Sequence, residues 1–596
     1  MISARKDLNA KPSAEAIQES ERDEFLNQLS ALLPSLQQDP TPVTNLIQTL
    51  ITSSHEYDFS SVLSITPSVD FLAGLMSPIS GVNLTVLSLL EKAKYHKSDI
   101  GIVAGKADVV GAMIRLWLCT PDTAVAGQAH DVLLTLLLAD VNGDSIPENE
   151  RGIVDRGLLW RRIFRDKDIY GSIFATCSLS TAEQQGQLSK RDKTVAQARL
   201  LDMLLDIDCE AVRTSQLPEI EERYGVSTGG LLHFAAIHMV DFREDVLMHI
   251  TLLEFYAKYL SAEGSKVSTS RDYPLQFLQT SGLHKRTMDF YLNPDNQDPM
   301  DLALLYGPSA NYLAVYCSYH PEDIIKQEGL VTAVLTRLTK VLQTVTRGQW
   351  AQGQVPNHDL HVLASLPRAS LIPQSGDSPL FHLPAKTASP SVFNALAHIF
   401  HGAHGTTTVQ NQEKAVAKAL YVLYMDRSPT FWTQLVSAAE IVAVKEAALA
   451  AISLIGAVIT AQWAQLPSNR SSPKRPFDLP TEENLAQRCG VPSLPSSGIA
   501  AIMSEPALGI VVPYLMKPAQ TFSNLVGGGK GDVESAAYRV AVAKHGVLVL
   551  LHQELKGWVG THPDARDMVA TVGRRVAQGP MGGTSEVGGR IGTMEL

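Results

Sequence analysis

Apolar residues recur along this chain at helical spacing, and runs that alternate apolar with polar positions are scarce. Phe25, Leu26, Leu29, Leu32 and Leu33 make one stripe, Leu84, Leu87, Leu89 and Leu90 a second, and Val246, Leu247, Ile250, Leu253 and Leu260 a third. Each stripe predicts one face of a helix, so the expected fold class is all-α.

Between these helices a turn carrying Pro or Asp is repeatedly followed by a small or β-branched residue, then Ala, then Leu or Ile at helical spacing. Pro121-Asp122 leads to Val125, Ala129, Leu133 and Leu136; Asp192 to Val195, Ala198, Leu201 and Leu204; Pro390 to Val392, Ala395 and Ile399. Val444-Lys445 leads to Ala448, Ala451 and Ile455, and Asp532-Val533 to Ala536, Ala537 and Val540. Small residues let a helix approach neighbours on both sides, and Asp or Ser caps its N-terminus, as in the second helix of a HEAT or armadillo pair. A HEAT/armadillo-like α-solenoid of stacked helix pairs is therefore the expected architecture, and a period of roughly 40–47 residues would fit some thirteen pairs.

Composition divides this array. Residues 1–18 form a polar tail, and helices are expected over 19–352, 391–466 and 498–572. Prolines interrupt at 353–390 (Pro356, Pro367, Pro373, Pro379, Pro384, Pro390) and at 467–497 (Pro473, Pro476, Pro480, Pro492, Pro495), which read as a Pro-rich loop and a Pro/Ser-rich linker. Residues 573–596, with Gly573, Gly579, Gly582, Gly583, Gly588, Gly589 and Gly592, read as a tail too rich in glycine for a helix.

Of the 596 residues 45% are hydrophobic and 19% charged, enough apolar surface for a core and the wrong composition for a disordered chain. Fifty Lys plus Arg against 61 Asp plus Glu leave a net charge of −11, which argues against nucleic acid as the principal partner. Cys119, Cys177, Cys209, Cys317 and Cys489 are odd in number and widely spaced, the usage of reduced thiols. With no apolar signal stretch before Glu24, the expected location is the cytoplasm, with the nucleus as a second compartment. Ala447 to Ala464 carries no charged residue, yet its alanines, Ser453, Thr460 and Gln462, and the lack of anchors on both flanks favour a buried inner helix over a membrane span.

Candidate chemistry is thin. Asp140-Val141-Asn142-Gly143-Asp144 opens like a calcium loop, but Ser145 stands where the sharp turn needs Gly and Arg151 where a bidentate Glu belongs. Gly527-Gly528-Gly529-Lys530 falls short of a phosphate loop, with Asn524 at the first glycine position and Gly531 at the final hydroxyl. His398, His401 and His404 are dense but lack the Glu of a metalloprotease helix, so solvated histidines at a helix end are favoured. No metal, cofactor or catalytic residue is assigned; a metal-dependent hydrolase using His398 and His401 is the outside alternative. The most distinctive stretch is Arg151 to Tyr170, read as one amphipathic helix with Arg151, Arg156, Arg161, Arg162, Arg165 and Lys167 set around Leu158, Leu159, Trp160, Ile163, Phe164 and Tyr170. Arg and aromatic residues favour protein interfaces, which makes Trp160, Arg161, Arg162, Arg165 and Lys167 candidate partner-binding residues. The competing reading is a solvated face neutralised by Asp155, Asp166 and Asp168.

Gly157 to Ser180 (GLLWRRIFRDKDIYGSIFATCSLS) and Pro506 to Leu551, especially Gly531 to Tyr538 (GDVESAAY), resemble fungal members of the proteasome non-ATPase regulatory subunit five family. The resemblance implies a non-catalytic chaperone for assembly of the 26S proteasome regulatory particle base. Its curved helical-repeat surface would hold the C-terminal domain of a proteasomal ATPase ring subunit and keep the ring from docking early on the core particle. Fungal relatives also carry a DNA mismatch repair label, which the acidic balance does not support as direct DNA binding. The alternative from the residues alone is a generic α-solenoid adaptor or transport scaffold binding cargo, coat proteins or a small GTPase.

Overall fold

The structure, a computed structural model, describes residues 59–64, 69–140, 157–179, 188–207, 212–213, 215–261, 273–373, 377–403, 408–466, 479–518, 535–560 and 562–581. Every regular element among them is helical. The first stripe (residues 25–33), the Gly527–Lys530 segment and His404 lie outside the described residues. The chain divides into two compact units, residues 1–281 and 282–596. The expected array over 19–352 is thus divided near Gly282, whose φ of +75° gives the chain a left-handed turn that L side chains rarely adopt.

The longer helices of the first unit are α1 (Ser80–Glu91), α2 (Lys97–Gly105), α3 (Ala107–Cys119), α4 (Thr123–Ala139), α5 (Leu158–Arg165), α6 (Lys167–Cys177), α7 (Lys190–Asp206), α8 (Val246–Ser261) and α9 (Tyr273–Thr280). They stack by neighbour, α1 on α4, α4 on α3, α3 on α7 and α7 on α8. Asp122 caps α4 as expected, its Oδ1 accepting from the amides of Ala124 and Val125. Ser189, not Asp192, caps α7, because its hydroxyl reaches the Asp192 amide one turn in. In α8, Leu253 and Leu260 of the predicted stripe are buried together with Phe255, Tyr256 and Tyr259, while Leu247 is 69% exposed. The aromatic residues widen the face that turns inward and leave Leu247 at its outer side.

The second unit holds α10 (Leu283–Leu292), α11 (Pro299–Tyr319), α12 (Glu328–Thr344), α13 (Asn357–Ser365), α14 (Pro390–His401), α15 (Thr408–Arg427), α16 (Phe431–Glu440), α17 (Lys445–Ile459), α18 (Ala507–Met516), α19 (Ala536–Trp558) and α20 (Arg566–Ala577). A row runs α11, α13, α14, α17, α19, each helix packed on the next. The row starts at residues 299, 357, 390, 445 and 536, so its spacing is unequal. The apolar stretch from Val442 to Ile459 is long and apolar enough to cross a membrane by length and composition. Here its helix, α17, is buried between α14, α16 and α19, and Gly456 lets Val547 of α19 approach so closely that a Cβ would stand 3.1 Å from Val547 Cγ2.

The expected irregular segment at 353–390 is built into the core, whereas the described part of 467–497 stays largely at the surface. Within 353–390, helix α13 sits between Pro356 and Pro367, so the prolines flank the helix and do not interrupt it. Leu360, Leu363, Leu371, Leu380 and Leu383 are buried, and Thr387 Oγ1 donates to the Trp350 carbonyl at 2.8 Å. The described part of 467–497 carries a short helix, Glu482–Arg488, capped by Thr481. The glycine-rich tail was expected to begin at 573, but α20 continues to Ala577. Gly573 is used for close packing, since a Cβ there would stand 2.9 Å from His552 Nε2 of α19. The chain leaves the helix at Gly579, whose φ is +74°. Ser535 caps α19, one turn after the Asp532 expected to do so, which lies outside the described residues.

Arginines join helices by capping the C-termini of others, where carbonyls lack intrahelical donors. Arg199 NH1 reaches the carbonyls of Trp117, Leu118 and Thr120 at the end of α3. Arg368 donates to Ile399 and His398 at the end of α14, and its third contact is Glu413 at 3.0 Å.

Candidate partner-binding surface

The stretch from Arg151 to Tyr170 is not one helix: among the described residues α5 ends at Arg165 and α6 begins at Lys167. Asp166 makes the break, because its Oδ1 accepts from the amides of Asp168 and Ile169 and so caps α6. Its other oxygen takes Arg162 at 2.6 Å. Burial raises the Asp166 carboxyl, but the hydrogen bonds from Arg162, Ile169 and Asp168 outweigh it and hold the group below the usual carboxylate range.

The start of α5 explains the first acidic residue of the calcium-like loop. Asp140 is buried, and its Oδ2 accepts from the Leu159 amide at 2.8 Å and the Trp160 amide at 3.4 Å. It caps α5, and Gly157 makes room for it, since a Cβ on Gly157 would stand 2.0 Å from the carboxylate. Residues 141–144 lie outside the described residues.

The five candidate residues divide by role. Trp160 is buried, packs its ring tilted against Phe164 with centroids 4.4 Å apart, and donates from Nε1 to Ser215 Oγ at 3.1 Å. Arg162 is turned onto α2, its Nε donating to the Ala104 carbonyl at 2.8 Å. These two anchor the helix. Arg161, Arg165 and Lys167 are exposed, Lys167 meeting Glu219 at 2.5 Å. Leu158, one turn before Arg161 and Arg162, is 57% exposed, and across from it Ile102 of α2 is also exposed. The α5 face therefore offers two guanidinium groups beside apolar surface on a rigid support, a combination suited to an acidic, partly apolar segment.

Among the described residues no group of three His, Cys, Asp or Glu side chains is placed to hold a metal ion. His398 is exposed near the end of α14, and His401 beside it makes a 3.0 Å contact with the Gly402 carbonyl. Cys177 and Cys317 are buried, and burial pushes both thiols well above the ordinary range, which suppresses the reactive thiolate.

Two buried clusters in the second unit were not visible as motifs. In one, Tyr291 and Tyr306 both donate to Asp359 Oδ1, at 3.0 and 2.6 Å. In the other, His284 Nδ1 shares a 2.7 Å hydrogen bond with the Tyr312 hydroxyl, while its Nε2 is buried with no hydrogen-bond partner among the described residues. Burial pushes the His284 pKa down to about 4, with Asp323 opposing and His320 adding to the shift. The unfolded chain takes up the proton near 6.5, so this histidine's contribution to stability is present above that pH and is lost as pH falls through the folded pKa. Lowering the pH from 7 to 5 is expected to remove about 2 kcal/mol through this group alone. Urea unfolding at both values, with His284→Phe compared with the wild type, checks it: the variant should lose that part of the pH dependence.

The sequence matches no family model, and no curated protein matches it.

Proposed function

We propose that this chain is a non-catalytic assembly chaperone for the 26S proteasome regulatory particle base, a helical-repeat protein of HEAT or armadillo type that holds the C-terminal domain of a proteasomal ATPase subunit. The resemblance over Gly157 to Ser180 supports the reading, and those residues include the α5–α6 pair with its exposed Leu158, Arg161 and Arg165. That face is the single observation carrying it: charged and apolar groups for a partner lie outward, while Trp160 and Arg162 hold the helix from within. A chaperone needs such shape and surface and no reactive centre. In this reading the protein works in the cytoplasm, with the nucleus as a second compartment, and contacts no nucleic acid or membrane.

The test is to tag the protein in its own cells, purify it gently, and identify what accompanies it by native gel and mass spectrometry. Proteasomal ATPase subunits in a complex lacking the 20S core are expected. Arg161→Glu with Arg165→Glu should reduce their recovery about tenfold, as expected for reversing charges at an interface, with helical circular dichroism unchanged. Import cargo, coat proteins, or no stoichiometric partner would defeat the proposal.

A further inference from the structure

Helices α3 to α7 of the first unit converge on a small void that none of them fills. It leaves about 20 Å³ for the centre of a water-sized molecule, so a guest somewhat wider than water fits. Trp117 of α3, Leu133 of α4, Phe164 of α5, Ile173 of α6, and Leu200 and Met203 of α7 stand on its wall, all of them buried. Every side chain around it is apolar. Trp117 Nε1 is buried without a hydrogen-bond partner among the described residues, yet no polar surface faces the void. A water inside would give up its bonds in bulk for none, whereas interior waters keep about two to four. The walls are held apart by polar ties outside the void, which is why they do not close on it. Arg199 of α7 grips the carbonyls of Trp117 and Leu118 at the end of α3, at 3.0 and 3.1 Å. Asp140, just after α4, caps α5, and Asp166 sets the break between α5 and α6. An apolar space whose walls cannot collapse keeps side-chain atoms with no neighbour on one side.

We propose that this void is a binding site for a single small apolar gas molecule, of the class to which dioxygen and xenon belong. Such a guest supplies the missing dispersion contacts and carries no polar group whose hydration would be lost. A polar or charged ligand finds no partner there and is excluded for the same reason. Ile163 and Phe164 of α5 belong to the wall, so the guest is enclosed only while α5 is seated on its neighbours. Occupancy therefore favours the seated form of the helix that carries Leu158, Arg161 and Arg165, because a ligand that binds one state alone shifts the population toward it. The site stands on the packing of the first unit and does not depend on which partner that helix meets.

The experiment records methyl NMR spectra of the full-length protein, labelled at Ile, Leu and Met methyls, under a series of xenon pressures. The Ile173, Leu200 and Met203 methyls should shift along a saturating curve, at least about threefold further than those of Leu454 and Ile455, which are buried in the second unit and serve as references. Wall methyls that shift no further than the references overturn the proposal. In Leu133→Phe the added ring occupies the void, and the xenon shift at Ile173 should fall about tenfold with helical circular dichroism unchanged. Leu133→Met, closer in volume to the native residue and so easier to fold, reaches into the same space and should lower it about threefold. Undiminished shifts in a folded variant place the gas elsewhere and overturn it. A nuclear Overhauser contact between water and the wall methyls that xenon does not displace shows a wetted void and overturns it as well.

Discussion

Replacing Gly498 with alanine is expected to destabilise the second unit by about 3 kcal/mol, the upper part of the range for overpacking a close-packed interior. Gly498 begins the short helix Gly498–Ile502, and its amide donates to the Ala461 carbonyl at 2.9 Å. A Cβ added there would stand 1.7 Å from the Val458 carbonyl oxygen and 3.0 Å from Ala461 Cβ. The first obstacle is backbone of α17, the most enclosed helix of the unit, so no side-chain rotation relieves it. Either α17 or the helix after Ser497 must move, and the Ala461 hydrogen bond is lost with it. Gly111→Ala is the control: it sits inside α3 with open space around the added methyl, and should be neutral or stabilising by up to about 1 kcal/mol through helix propensity. Thermal and urea unfolding of both variants test the pair. Equal stability of Gly498→Ala and wild type would show that the close approach is not needed.

Removing the Asp359 carboxylate is expected to cost about 3 kcal/mol, because the buried Tyr291 and the half-buried Tyr306 lose their acceptor together and an orphaned buried group costs about 1–3 kcal/mol. Asp359 is 2% exposed, in the first turn of α13. Tyr291 of α10 and Tyr306 of α11 stack at 5.4 Å as they converge on it. The Arg337 guanidinium of α12 lies over the Tyr306 ring at 5.5 Å. Burial, and then the Asp359 charge, push both phenols well above the ordinary tyrosine range, so they remain donors at any physiological pH. Three helices thus meet at one carboxylate, and α12 covers one of its tyrosines. Asp359→Asn keeps an acceptor oxygen and should cost about 1 kcal/mol, while Asp359→Ala should show the full loss. Amide hydrogen exchange in α10 and α13 would localise the effect. A variant in which Asp359→Ala costs no more than Asp359→Asn would show that the charge, and not the pair of hydrogen bonds, carries the stability.

Much of the helical pattern was legible locally. Asp122 and Pro390 mark true helix starts, and the uncharged stretch from Ala447 contributes the buried helix it resembled. Those signals act within a turn or two, where capping and 3.6-residue periodicity operate. The α5–α6 region was legible in composition but not in role. Arg161 and Arg162 are chemically the same, and only the proximity of the Ala104 carbonyl, 58 residues earlier, turns Arg162 inward. Trp160 is likewise an anchor because Ser215 lies within reach, 55 residues later. The proline-rich stretch at 353–390 misled because proline marks helix boundaries as well as loops, and only packing tells whether the intervening leucines are covered.

By itself, then, the sequence determined that this is an all-α chain, where a few of its helices begin, and which residue types stand on the α5 face. Hydrophobic period and N-caps express these within neighbouring turns. The tertiary structure alone decided the division near Gly282, the order in which helices stack, which arginines cap other helices, and where the core keeps an unfilled space. Each of these depends on contacts between residues tens of positions apart, where packing and burial, not local periodicity, choose the partner.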